Sequence, residues 1–257
     1  MTKSFSYKLK YNLSQHFINA LFSAANFIVP SSKFIQKSTY NSRNFYDGTG
    51  TFRDGTIQNS KWHLGFSVDT LLTSNELDGN HFVGGEIRTG RKTATEIFDD
   101  MRVRAVAIND GVSGTVVFAA LDLYGLSNND VGEIRSRLMQ FAKENGIVSI
   151  NLMSLHQHSV VDTFGMNGDL KEAFLKNPLK NLRHNKDIKN GKNPEFMENL
   201  YEITSKTIKT AFENIEPGTM VFGAVDAAAY VEDQRPPYVN DTDLNRLRFH
   251  PDDAQSR

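Results

Sequence analysis

The chain has 257 residues, no cysteine, and 29 basic against 30 acidic side chains for a net charge of −1. That balance argues against a nucleic-acid surface, which shows as a basic excess. The missing cysteines exclude disulfides and thiolate metal ligands and leave the compartment undecided. The length suits one large domain or two small ones with a sizeable core.

At the N-terminus, Lys3, Lys8 and Lys10 precede a mostly apolar stretch from Phe17 to Val29, interrupted by Asn19, Ser23 and Asn26. It is too short to span a bilayer. It reads first as a helix packed on the domain. A signal segment, or one lying on a membrane surface, is the alternative, so secreted, membrane-associated and cytoplasmic locations all stay open. Residues 38–60 are rich in Asn, Ser, Thr, Gly and Asp and read as a linker. The expected organisation is a helical N-terminal extension with a polar linker over 1–60 and one domain over 61–257.

Within that domain, "RVRAVAI" (Arg102 to Ile108) and "TVVFAALDL" (Thr115 to Leu123) read as strands joined by the turn "NDG". The second is a nearly continuous apolar run, expected to be buried on both faces. Ser127 and Asp130 have capping-box spacing, and Val131, Ile134, Leu138, Phe141 and Ala142 recur at helical intervals up to Gly146. "IVSINLMSL" returns as a strand. A second helix is expected from about Glu195 to Asn214, ended by "EPG", with Leu200, Ile203, Ile208, Ala211 and Phe212 facing inward.

"TMVFGAVDA" follows as a strand. Its Thr-x-Val-Phe-x-Ala-x-Asp pattern repeats the one at Thr115–Asp122 and reads as two buried strands under one packing demand. The polar stretch from Gly165 to Pro194 sits where an active-site loop would lie, and the Lys186–Lys192 run reads as solvated. Alternating strands and helices, with one hairpin, predict an α/β layered domain with a mostly buried mixed β-sheet flanked by helices.

The chemistry centres on "SLHQHSVVDTFG", where His156 and His158 end a strand. Residues two apart in an extended chain project from one face, so the two rings are expected to converge. Neutral imidazole ligates zinc, and a catalytic zinc usually takes three protein ligands and a water. Histidines so placed also serve only to bond loop carbonyls. Val160 and Val161 stand where a metallo-β-lactamase motif needs Asp and His, and no Gly-x-Ser-x-Gly elbow, phosphate loop or dinucleotide fingerprint occurs. Trp62 reads as a core or edge anchor, and His63 and His81 as structural or exposed.

The block "RVRAVAINDGVSGTVVFAALDLYGLSNNDVGEIRSRL", followed by "INLMSLHQHSVVDTFG", resembles the N-terminal part of the neutral/alkaline non-lysosomal ceramidases and their bacterial relatives. Arg104-Ala105, Asp122, Gly125 and His156-x-His158-Ser159 fall on that family's positions in order. "WHLGFSVDTLLT" and "FVGGE" match more loosely, and "RLRFHPDD" resembles a stretch after the second helix.

The resemblance implies a zinc-dependent hydrolase of a lipid amide such as N-acylsphingosine. It implies His156 as a zinc ligand, His158 and Asp122 as catalytic groups, and Ser159 and Asp162 as substrate-binding. Val160-Val161 replaces the family's Gly-Pro, and Gln157 its threonine. The family's other ligands lie beyond the matched block, so the expectation is an N-terminal fragment with an incomplete metal site. A non-catalytic lipid- or protein-binding remnant of the fold is the alternative.

Overall fold

The structure is a computed structural model that describes residues 61–85, 93–168, 191–233 and 236–253, together with His16. The expected N-terminal extension and linker otherwise fall outside the described residues, as do 169–190 of the expected active-site loop.

Six strands and two long helices are described: β1 (Trp62–Thr70), β2 (Arg102–Asn109), β3 (Thr115–Leu121), α1 (Asn128–Glu144), β4 (Ile147–Ser154), α2 (Pro194–Glu213), β5 (Glu216–Asp226) and β6 (Asp243–Pro251). They form one sheet in the order β4-β3-β2-β1-β5-β6. Only β3 and β4 run parallel. A parallel neighbour requires a crossover, and α1 supplies it. This is the α/β layered domain with a mixed sheet that the sequence predicts.

The caps explain where the helices begin. Ser127 accepts from the Asp130 N–H, and the Asp130 carboxylate accepts from the Ser127 N–H, closing the expected capping box. Asn193 caps α2 by accepting from Glu195 and Phe196, and Pro194 takes the first helical position, where a missing N–H costs nothing. Ile134, Leu138 and Ala142 of α1 and Leu200, Ile208 and Ala211 of α2 are buried, as their spacing predicts.

Both helices cover one face of the sheet. Val103, Ala105 and Ala107 of β2 and Val117, Ala119 and Leu121 of β3 are buried beneath them. At Gly65 of β1 an added Cβ would lie 2.0 Å from the Ala211 carbonyl oxygen, so a glycine lets α2 sit directly on the sheet. The alternate residues point the other way and stay partly open: Phe66 is 41% exposed and Phe118 40%. The expectation that the β3 segment is buried on both faces is therefore corrected. Among the described residues, helices lie on one side only. Trp62 belongs to the uncovered face and is not a core anchor.

The repeated Thr-x-Val-Phe-x-Ala-x-Asp pattern also separates into two environments. β5 pairs with β1 over only Glu216–Gly218, then runs on with β6 as a two-stranded ribbon. Phe222, the counterpart of Phe118, is 64% exposed. The two strands share residues but not burial, because neither long helix among the described residues packs on the ribbon. "EPG" does not end α2 as a turn. It opens β5, and Gly218 is needed there because a Cβ would come within 2.3 Å of the His250 carbonyl oxygen on β6.

Candidate functional site

The two histidines sit beyond the C-terminal ends of β3 and β4. In open α/β sheets the carboxyl ends of parallel strands are where ligands bind. The ladder continues past the named strands: the Leu155 N–H donates to the Leu121 carbonyl and the Gln157 N–H to that of Leu123, each at 3.0 Å. His156 stands between these two anchors with φ 58, the only non-glycine residue with positive φ among those described. The rings do converge, but not because an extended strand runs through them. A left-handed residue turns the His156 ring back over the β3 end.

There His156 Nδ1 lies 3.0 Å from the Tyr124 carbonyl oxygen. A carbonyl only accepts, so this contact places a proton on Nδ1, and Nε2 is the nitrogen that the neutral ring would offer to a metal. The His156 ring lies 4.7 Å from the Tyr124 ring at an interplanar angle of 30°. His158 packs edge-on, with ring centroids 5.2 Å from Tyr124 and 4.9 Å from His156. The Phe164 ring also lies edge-on to Tyr124, with centroids 5.6 Å apart. Both imidazoles are exposed.

Tyr124, the centre of this cluster, escaped the sequence reading. Its signal was an aromatic residue between a strand-end aspartate and a glycine. Gly125 makes room for the cluster, since a Cβ there would lie 2.3 Å from the Phe164 ring.

Asp122 is adjacent but occupied. Its carboxylate accepts from the Arg102 N–H at 3.0 Å and from Arg104 Nη1 at 3.0 and 2.9 Å. It joins the ends of β2 and β3. Ser159 is exposed beside His158. Asp162 is only 1% exposed. Its oxygens accept from the backbone N–H groups of Phe164, Gly165 and Asn167 at 2.9, 3.0 and 2.7 Å. The structure thus brings His156, His158 and Ser159 together at the surface and sets Asp162 inside the turn that follows.

Val160 and Val161, which depart from the family's Gly-Pro, are buried in the core. The Gly84 N–H donates to the Val160 carbonyl at 2.7 Å, and the Asp162 N–H donates to that of Phe82 at 2.8 Å. Valine suits this short antiparallel bridge, in which Val83 pairs with Val161. Residues 82–85 therefore cross the histidine loop. At Gly85, with φ 107, a Cβ would lie 2.4 Å from the His158 Cα.

The fit to zinc is partial. Among the described residues, no three His, Cys, Asp or Glu side chains are grouped so as to hold a metal ion. His156 and His158 offer two nitrogens where a catalytic zinc takes three protein ligands. His250 stands exposed on β6, at the opposite sheet edge, and His184 lies outside the described residues. His81 is buried with its Nδ1 3.2 Å from Asp78 and its Nε2 3.2 Å from the Asn193 amide, a structural role. Lys192 is not the solvated residue its run suggested, because its Nζ pairs with buried Asp130 at 2.6 Å.

The left-handed backbone gives one prediction. His156→Gly and His156→Ala both remove the ring, but alanine keeps the conformational penalty. The glycine variant should be more stable than the alanine variant by about 1 kcal/mol. Paired urea denaturation curves measure this, and equal midpoints would contradict it.

No protein-family model matches the sequence, and no curated protein matches it. The solved structures similar to it include two ceramidases. A structure described as ceramidase complexed with C2 has a TM-score of 0.54 and 14% identity, covering 76% of this chain and 29% of that one. The neutral ceramidase from Pseudomonas aeruginosa has a TM-score of 0.53 and 17% identity, covering 76% of this chain and 30% of that one. This chain thus spans less than a third of either structure's length. Over the shared part, it has a ceramidase-like fold.

Proposed function

We propose that this chain carries the histidine-bearing part of a ceramidase-like hydrolase that acts on the amide bond of a lipid such as N-acylsphingosine. The observation that carries the reading is the meeting of two exposed imidazoles at the carboxyl ends of parallel strands, with the His156 tautomer set by the Tyr124 carbonyl. His156 is the zinc ligand in this reading, and the rest of the ligand set must come from outside the described residues. His158, held edge-on against Tyr124, handles the proton or positions the substrate. Ser159 contacts the substrate beside it. Asp122 and Asp162 act through position, one fixing the strand ends and the other shaping the loop. Val160-Val161, buried where the family has Gly-Pro, favours a second reading, in which the fold binds a lipid or a protein without catalysis.

Zinc calorimetry and fatty-acid release from N-acylsphingosine separate the two. Under the hydrolase reading, zinc binds weakly, His156→Ala abolishes binding, and His158→Ala keeps zinc but loses zinc-dependent release. Binding of the lipid with no release in wild type at any zinc concentration would favour the non-catalytic reading.

A further inference from the structure

The two outer edges of the sheet, β4 and β6, are finished differently. On β4, Arg135 of α1 donates to the Ile150 carbonyl from Nε at 3.0 Å and from Nη2 at 2.7 Å. β6 has β5 on one side and no strand on the other. Its alternate residues project to opposite faces, so Arg246, Arg248 and His250 form one row and Leu247 and Phe249 another. The three basic residues are exposed, and so is Leu247, at 62%. Across the ladder the basic row meets Gly223, Val221 and Thr219, none of them acidic. Neither arginine has a carboxylate partner among the described residues.

We propose that the outer edge of β6 docks an extended segment of a partner protein, which adds to the six-stranded sheet as a further strand. In this mode main-chain hydrogen bonds supply affinity and alternate side chains supply specificity. The segment's side chains beside Arg246 and Arg248 are carboxylates two residues apart, and those beside Leu247 and Phe249 are apolar. Charge selects this occupant over the alternatives. A second copy, pairing antiparallel about a two-fold axis at Arg246, Leu247 or Arg248, sets Arg246 against Arg246, Arg246 against Arg248, or Arg248 against Arg248. Like charges directly opposite each other are destabilising. The arginines therefore block self-pairing, as charges on open edges do, while leaving the edge fit for an acidic strand. The chain's own segments outside the described residues do not supply one, since none has two carboxylates two residues apart.

The probe is a capped peptide that alternates glutamate with valine and threonine, compared with one carrying lysine in place of glutamate. Added to the full chain, the glutamate peptide should slow amide exchange in β6 and leave β4 unchanged, and the lysine peptide should slow neither. Arg246→Glu with Arg248→Glu should weaken binding of the glutamate peptide by about tenfold and admit the lysine peptide, because the cross-strand charge pairs change sign. If the double variant fails to fold, the exchange pattern of the wild-type chain with the two peptides still decides. The proposal fails if the glutamate peptide leaves β6 unprotected, and protection by phosphatidylserine vesicles instead would make the edge a membrane contact. It fails also if both peptides bind the wild-type chain alike, if protection falls outside β6, or if charge reversal leaves the preference unchanged.

Discussion

Gly85→Ala is expected to destabilise the domain by on the order of 3 kcal/mol and to displace His158. Two costs combine. An L side chain at φ 107 is strained by about 1–3 kcal/mol. The new Cβ would also lie 2.4 Å from the His158 Cα and 2.8 Å from its carbonyl oxygen, and backbone moves aside less readily than a side-chain tip. Because the His158 segment is held by Val160 and Val161 in the core, relief must come from moving the imidazole. Gly79→Ala separates the two costs, since Gly79 has φ 81 but nothing within 4 Å of a Cβ. Chemical denaturation should show the smaller loss, about 1–2 kcal/mol, for Gly79→Ala. The His158 ring resonances should move in Gly85→Ala and stay in place in Gly79→Ala. Equal losses, with an unmoved ring, would show that the crossing does not hold the histidine.

Asp130→Ala is expected to cost about 3 kcal/mol, because it removes a buried carboxylate on which hydrogen bonds from three side chains converge. Asp130 is 1% exposed. It accepts from Lys192 Nζ and Tyr201 Oη, each at 2.6 Å, and from Ser127. One carboxylate thus joins the start of α1, the approach to α2 and the side of α2. Burial alone would raise its pKa, but hydrogen bonds from Lys192, Ser127 and Tyr201 outweigh that and hold it below the ordinary 3.8. Burial, and then the Asp130 acceptor, push the Tyr201 hydroxyl up. Since the folded-state value of Asp130 is the lower one, its stabilisation is fully present above 3.8 and is lost as pH falls through the folded value. Wild type should therefore lose more stability than Asp130→Ala on acidification below pH 3.8. Parallel acid titrations of the two proteins, followed by circular dichroism, check this. Tyr201→Phe should cost only about 1–2 kcal/mol, since Lys192 and Ser127 still satisfy the carboxylate.

Much of the framework was legible because it is encoded locally. Ser127 and Asp130 specify their cap within one turn, and the inward positions of both helices follow from a period that a short window reveals. β6 was missed because a strand exposed on both faces carries no alternation. Leu244, Leu247 and Phe249 mark neither side consistently. The burial of β5 was misread for a related reason. Its residues state a strand preference, whereas what lies above them is set by elements far away in sequence. At the site, the convergence of His156 and His158 was anticipated from spacing, but the cause is a left-handed backbone, which spacing does not reveal. Tyr124 and Gly85 reach the histidines only through tertiary approach, across 32 residues in the case of Tyr124 and His156.

The segment carrying the imidazoles is an arch of five residues, 155–159, anchored in the β3–β4 ladder on one side and in the core at Val160 on the other. Its chemistry can drift while its span cannot. Exchanging Gln157 or Ser159 alters what the arch presents, whereas inserting or deleting a single residue would put both rings out of register with Tyr124. Related chains that keep this ring cluster should therefore differ in the letters of the arch and agree in its count.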